Sequence, residues 1–143
     1  WNVLVTAPYM QPVIDRFKDI FTENDIELIM PPVKERLNET ELLEWIEDID
    51  GVISGNDQFT KRVLRSAKNL KVISKWGTGI DSIDLEEAKR LNIAVCNTPN
   101  AFTEPVADTV FSYILSFARK IPWTLEDMRS GKGLNRTYLR KRL

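Results

Sequence analysis

The residues of this chain best equipped for chemistry are Lys75-Trp76-Gly77-Thr78-Gly79. Two glycines separated by one residue let a backbone turn sharply and present N–H groups unobstructed by side chains. Lys75 sets a positive charge beside them. Together they suit an oxyanion, either a carboxylate or a phosphate. The same glycines would also serve a tight turn and nothing more, and the residues alone leave that alternative open. What the chain lacks narrows the chemistry further. None of its 143 residues is histidine, which removes the commonest general base, the Ser–His and Cys–His nucleophile pairs and the commonest metal ligand. With a single cysteine, Cys96, a zinc site is disfavoured and an internal disulfide is excluded. Cys96 lies in an apolar run and reads as a small buried hydrophobe rather than a reactive thiol.

The glycine loop needs a strand before it and a helix behind it, and the sequence supplies both. Val72-Ile73-Ser74 reads as a buried strand. Asp84 caps a helix, with Glu87 completing a capping box and Leu85, Ala88 and Leu91 on one face. Ile93 to Cys96 is a second buried strand, stopped by Thr98-Pro99. This is a βαβ unit with its glycine loop at the carboxyl end of the first strand, where open parallel sheets bind ligands.

Upstream, Asn2 to Thr6 is a strand. Gln11 to Phe21 is a helix with Pro12 in its first turn and Val13, Ile14, Phe17, Ile20 and Phe21 inward. Ile26 to Met30 is a strand stopped by Pro31-Pro32. Asn38 and Glu41 form a cap pair for a helix carrying Leu42, Leu43, Ile46 and Ile49. Gly51 to Ser54 is a strand, and Thr60 caps a helix through Val63, Leu64 and Ala67. Downstream, Thr103 caps a helix reaching Ala118, with Pro105 in its first turn. Its apolar residues occupy most of the circumference, which predicts burial on two sides. A short amphipathic piece with Trp123, Leu125 and Met128 follows, then a basic tail over 133–143 that reads as a solvated terminus.

Strands and helices alternating in this way predict an α/β fold. It is a flavodoxin-like, doubly wound, five-stranded parallel sheet of order 2-1-3-4-5 in three α/β/α layers. The domain should span 1–132. The carboxyl-end loops Ala7-Pro8, Gly55-Asn56-Asp57, Trp76-Gly77-Thr78-Gly79 and Thr98-Pro99-Asn100 then meet at one rim. Two familiar users of this architecture fail on their chemistry. A receiver domain would need acidic partners after strand one for Asp57, and Thr6-Ala7-Pro8 offers none; Ala7 to Gln11 is not the Ser/Thr- and Gly-rich phosphate loop of a flavodoxin. Apolar residues at 43%, charged residues at 29% and a net charge of −1 describe an ordinary soluble chain. They give no reason to expect nucleic acid or a membrane as partner, and a cytoplasmic location follows as the expectation.

Val72-Ile-Ser-Lys-Trp-Gly-Thr-Gly-Ile-Asp-Ser-Ile-Asp84, Asn97-Thr-Pro-Asn100, Val106-Ala-Asp108 and Ala118-Arg-Lys-Ile-Pro122 with Met128-Arg-Ser-Gly-Lys132 resemble, in that order, the N-terminal half of the D-2-hydroxyacid dehydrogenases, among them the phosphoglycerate dehydrogenase-like members. The resemblance reaches Lys132. It implies a substrate domain in which the Gly77-Thr78-Gly79 backbone binds the substrate carboxylate, Lys75 stands where an Arg or Lys is usual, and Thr78 lies near the NAD nicotinamide. It also implies that the loop holding Asn56 and Asp57 borders the substrate. In the family, a strand with GxGxxG follows shortly and the catalytic Arg, Glu and His come from that later part; no GxGxxG occurs here. The expectation is therefore a half-length relative, inactive alone and binding no NAD by itself. The alternatives are a small-carboxylate-binding or regulatory protein, or an oxidoreductase completed in trans by a separate NAD-binding chain. The apolar helix 103–118 further predicts a homodimer, with that helix kept on its own sheet or exchanged between copies.

Overall fold

The computed structural model describes residues 1–133; the rest of the predicted 133–143 tail lies outside the described residues. Trp1–Asn100 form one compact unit, and a second begins at Ala101.

In the first unit, β1 (Asn2–Val5), β2 (Glu27–Ile29), β3 (Gly51–Ser54), β4 (Val72–Lys75) and β5 (Ala94–Cys96) form one sheet of order β2-β1-β3-β4-β5. Every neighbouring pair is parallel, with Leu4 opposite Val52 and Val52 opposite Ile73. Strand alternation sends side chains to the two faces in turn. Leu4, Val52 and Ile73 join Leu42, Ile46, Val63, Leu64 and Ala88 in one core, brought by α2 (Glu39–Leu43), α3 (Lys61–Ser66), α4 (Leu85–Arg90) and the turn after α2. Val3 and Val5 face the other way, against Met10 and Ile14. That second layer is a 3-10 segment, Gln11–Phe17, running into α1 (Lys18–Glu23). The predicted five-stranded, doubly wound α/β architecture and its strand order are therefore what the chain adopts.

Several local expectations are corrected. Ile20 is 57% exposed rather than inward. A 3-10 turn repeats every three residues and an α turn every 3.6, so Ile14, Phe17 and Phe21 share the inner side and Ile20 rotates out. Leu85 is 44% exposed at the first position of α4, a helix too short to build the predicted apolar stripe. Cys96 is exposed, not buried. β5 is an edge strand, and Ala94 and Cys96 fall on its open face while Val95 packs toward the core. The caps divide likewise. Asn38 and Glu41 form the reciprocal box, and Thr60 accepts from the Val63 amide. Asp84 accepts from the Glu87 amide at 2.9 Å, but the Glu87 carboxylate does not return the bond. Thr103 is already helical, and Phe102 occupies the cap position without a side-chain bond.

The second unit contains α5 (Thr103–Ala118) and α6 (Ile121–Arg129), joined through Lys120 in the left-handed region at φ 55°. Phe117 and Trp123 meet edge to face with ring centroids 5.7 Å apart. The predicted two-sided burial of α5 is absent in the single chain, where no residue of α5 is buried. Among the described residues, no helix is long and apolar enough to cross a membrane.

Glu87 turns from its cap because three cations compete for it. Its side chain is 4% exposed and pairs with Arg65 at 2.8 Å, Lys61 at 3.7 Å and Arg90. Hydrogen bonds from Arg90 and then Arg65 hold the carboxyl down at about 2. A carboxyl whose folded value lies below its unfolded value, about 4.3, adds stability above that value and loses it on the way down to the folded one. Glu87→Gln is therefore expected to unfold at lower urea concentration at pH 7. The gap from wild type should close between about pH 4 and 2, as read by denaturation midpoints across that window.

Candidate functional site

Among the carboxyl ends of the strands, Asp57 is the organising group. It is fully buried, and an ionised carboxylate in such a place needs donors on both oxygens. Thr6 Oγ1 donates at 2.5 Å, Ser54 Oγ at 3.1 Å and the Gly55 amide at 3.0 Å to one oxygen, and the Leu37 amide donates at 2.7 Å to the other. Those donors come from the ends of β1 and β3 and from the segment entering α2. Asp57 thus has no surface to offer a ligand. It fixes the loop instead.

Lys75, last residue of β4, crosses to the same loop. It is 5% exposed; its ammonium donates to the Gly55 carbonyl and to Asn56 Oδ1, the latter at 2.6 Å. Burial pulls its pKa below the ordinary lysine range, opposed by the negative charge of Asp57. Gly55 is held at both ends of its peptide groups, and a Cβ there would sit 3.1 Å from Pro8 Cδ and 3.2 Å from the Thr6 carbonyl oxygen. A side chain at this position would push the β1 and β3 loops a few tenths of an ångström apart. Above this floor lies a cavity of about 200 Å³, lined by Ala7, Pro8, Tyr9, Lys34, Glu35, Gly55, Asn56, Lys75 and Trp76. It opens between the tips of β1 and β3, where the winding of the sheet reverses and crevices form.

The glycine loop after β4 is shaped by its own bonds. The Gly77 amide folds back onto the Lys75 carbonyl at 2.9 Å, so it is not a free donor. Gly77 contributes conformation, with φ at 143°, a region side chains rarely enter. The Gly77 carbonyl accepts from the Thr98 amide at 3.0 Å, and the Thr78 carbonyl from Asn97 Nδ2 at 2.7 Å. In a trans peptide, the carbonyl and the following N–H point in opposite directions. Tying both carbonyls to the segment after β5 therefore turns the Thr78 and Gly79 amides the other way. Neither has an acceptor among the described residues, and both residues are exposed. Two adjacent amides without a protein acceptor are the kind of donors that can meet an anion.

The structure thus gathers Lys75 and Asn56 at the cavity and Thr78 and Gly79 at the open loop. It withdraws Gly77's amide and Asp57's carboxylate into the framework. Tyr9, Lys34 and Glu35 were missed by the sequence reading. Their signal was the strand-tip rule itself: Lys34 and Glu35 follow the Pro31-Pro32 stop of β2. Among the described residues, no cluster of His, Cys, Asp or Glu could hold a metal ion.

Comparison with known proteins gives this geometry a family. Residues 3–134 match the model of the D-isomer specific 2-hydroxyacid dehydrogenase catalytic domain. The chain belongs to this family. It is 35% identical over 107 residues to the D-3-phosphoglycerate dehydrogenase of Sus scrofa, which covers 74% of this chain and 20% of that protein. It is 37% identical over 92 residues to the glyoxylate reductase of Thermococcus litoralis, covering 64% and 28%. A crystal structure of NAD⁺-bound 3-phosphoglycerate dehydrogenase from Entamoeba histolytica superposes with a TM-score of 0.69 at 25% identity, covering 83% of this chain and 39% of that one. The chain therefore spans about a fifth of the length of the first of these relatives.

Members of this 2-hydroxyacid dehydrogenase family bind NAD, and the glycine loop can be tested as a dinucleotide cradle. Such a cradle needs glycines that open directly into a helix, whose N-terminus meets the pyrophosphate. Here the loop runs on through Ile80–Ile83 before α4 begins at Leu85, and no GxGxxG occurs in the 143 residues. These residues do not fit the dinucleotide.

Asp57→Ala would strand the buried Leu37 and Gly55 amides and leave the Thr6 and Ser54 hydroxyls only their carbonyl acceptors, Ile53 and Gly55, at about 1–3 kcal/mol for each unsatisfied group. A loss of about 3 kcal/mol or more is expected in urea unfolding at neutral pH. A shift within ~0.5 kcal/mol, typical of an inert surface site, would mean the network does not hold the rim.

Proposed function

We propose that residues 1–100 are the substrate-binding part of an NAD-dependent 2-hydroxyacid oxidoreductase, phosphoglycerate dehydrogenase-like in type. The observation that carries this reading is the pair of free amides at Thr78 and Gly79, aimed away from β5 by their tied carbonyls. That pair suits the carboxylate of a 2-hydroxy or 2-oxo acid, with the rest of the molecule reaching toward Asn56 and Lys75. The curated relatives named D-3-phosphoglycerate dehydrogenase and glyoxylate reductase support an acid substrate of that class. Hydride transfer also needs a bound nicotinamide and a general base. The 143 residues contain no histidine and no dinucleotide loop, so this chain alone captures the acid without turning it over.

The purified chain should show no NADH formation above blank with D-3-phosphoglycerate and NAD⁺. It should still bind small 2-oxo acids at about millimolar strength, roughly 4 kcal/mol. Amide shifts on titration with pyruvate should centre on residues 75–79. Turnover above blank, or shifts that leave Thr78 and Gly79 untouched, would overturn the reading.

We infer further that this chain self-associates through α5. Val106, Phe111, Tyr113 and Phe117 are 58%, 64%, 64% and 60% exposed, and exposed large apolar side chains on one helix invite association. In a solution of this chain alone, a second copy is the available cover. Light scattering at micromolar concentration should give about twice the 16.5 kDa chain mass. Phe111→Glu with Phe117→Glu should abolish that dimer, and a wild-type monomer would refute it.

A further inference from the structure

The contact between Lys75 and Asn56 fixes more than the shape of a loop. An ammonium carries donors only. The Asn56 atom 2.6 Å from Lys75 Nζ must therefore be the amide oxygen, because the alternative orientation would press an NH₂ group against a cation. Lys75 has no freedom to release it. The lysine is almost wholly buried and makes a second bond to the Gly55 carbonyl. Gly55 is immobilised in turn by Asp57 and by the packing of Pro8 and Thr6 around it. With its oxygen committed, Asn56 keeps one functional group in hand. Its Nδ2 has no acceptor among the described residues, and Asn56 is an exposed residue lining the cavity.

The remaining charges there do not favour one sign strongly. Lys34 and Glu35 are adjacent, exposed and opposite. A fixed neutral donor in the same cavity can discriminate where that opposed pair of charges cannot.

We propose that Asn56 is a specificity-determining donor, whose NH₂ group, oriented by Lys75, binds an oxygen acceptor on the substrate beyond its second carbon. The site then takes 2-hydroxy acids bearing a hydroxyl, carboxylate or phosphate there in preference to those bearing an alkyl group. The proposal rests on the reading that the Thr78 and Gly79 amides hold the carboxylate, and it adds what the other end of the molecule must offer. Lys75 acts here as a positioning residue.

D-glycerate and D-lactate differ by the one hydroxyl that Asn56 would bind. Each is titrated into the ¹⁵N-labelled 143-residue chain, following backbone amides and the Asn56 side-chain NH₂ pair. Both acids should shift Thr78 and Gly79, while D-glycerate alone should shift the Asn56 NH₂ pair. D-glycerate should bind about three- to tenfold more tightly, the range one neutral hydrogen bond confers. Asn56→Ala should collapse that ratio to about one, as should Lys75→Met in any preparation whose spectrum keeps its dispersion. Equal affinities in the wild type, or a ratio that survives Asn56→Ala, would overturn the role of Asn56 while leaving the carboxylate site standing. Absence of shifts at Thr78 and Gly79 with either acid would overturn the carboxylate site itself, and this proposal with it.

Discussion

A carboxylate buried away from water must be surrounded by donors or it destabilises the fold that buries it. Asp57 meets that condition by drawing donors from three separate stretches of chain: Thr6 beyond β1, Ser54 and Gly55 at the end of β3, and Leu37 before α2. Each donor is thereby held at a set distance from the same two oxygens. The tips of β1 and β3, which the sheet's winding would otherwise let diverge, are pinned where the cavity opens. Lys75 completes the arrangement from β4 by gripping the Gly55 carbonyl. The negative charge of Asp57 offsets part of the cost of burying the Lys75 ammonium at 5% exposure. The rim is thus a small polar lattice set on an apolar sheet.

Much of this was legible in the residues because it is local. Strands of three or four apolar residues, caps at Asn38, Thr60 and Asp84, and Pro or Gly punctuation act over a few positions, and they led to the correct strand order. What the sequence concealed depends on partners far along the chain. Asp57 invites a functional reading by its place at a strand tip, yet its donors lie 20 and 51 residues away at Leu37 and Thr6. Gly77 was expected to donate its amide. A tight turn onto Lys75 consumes that donor, and Thr78 and Gly79 are freed instead by bonds from Asn97 and Thr98. Cys96 looked like a core residue because its run is apolar, and only the edge position of β5 exposes it. Ile20 failed for a subtler reason, a 3-10 start that changes the helical phase before the α turn begins.

On the proposed reading, the two halves of the rim would divide their work. The loop after β4 offers backbone donors whose direction is set by trans-peptide geometry, and such donors can meet any carboxylate without regard to the rest of the acid. The loop after β3 offers a side chain, and side chains are where relatives of one fold part company over substrates. A family that includes proteins named for phosphoglycerate and for glyoxylate fits a site built in this way, with a constant grip at one end and a variable one at the other.

We propose that a 2-hydroxy acid sits with its carboxylate on the Thr78 and Gly79 amides. A crystal structure of the chain grown with millimolar D-3-phosphoglycerate tests it most directly. Both amide nitrogens should lie within about 3 Å of the ligand's carboxylate oxygens, with the Gly77 amide still folded onto Lys75. A carboxylate bound elsewhere, or Thr78 and Gly79 amides turned to protein carbonyls, would contradict it.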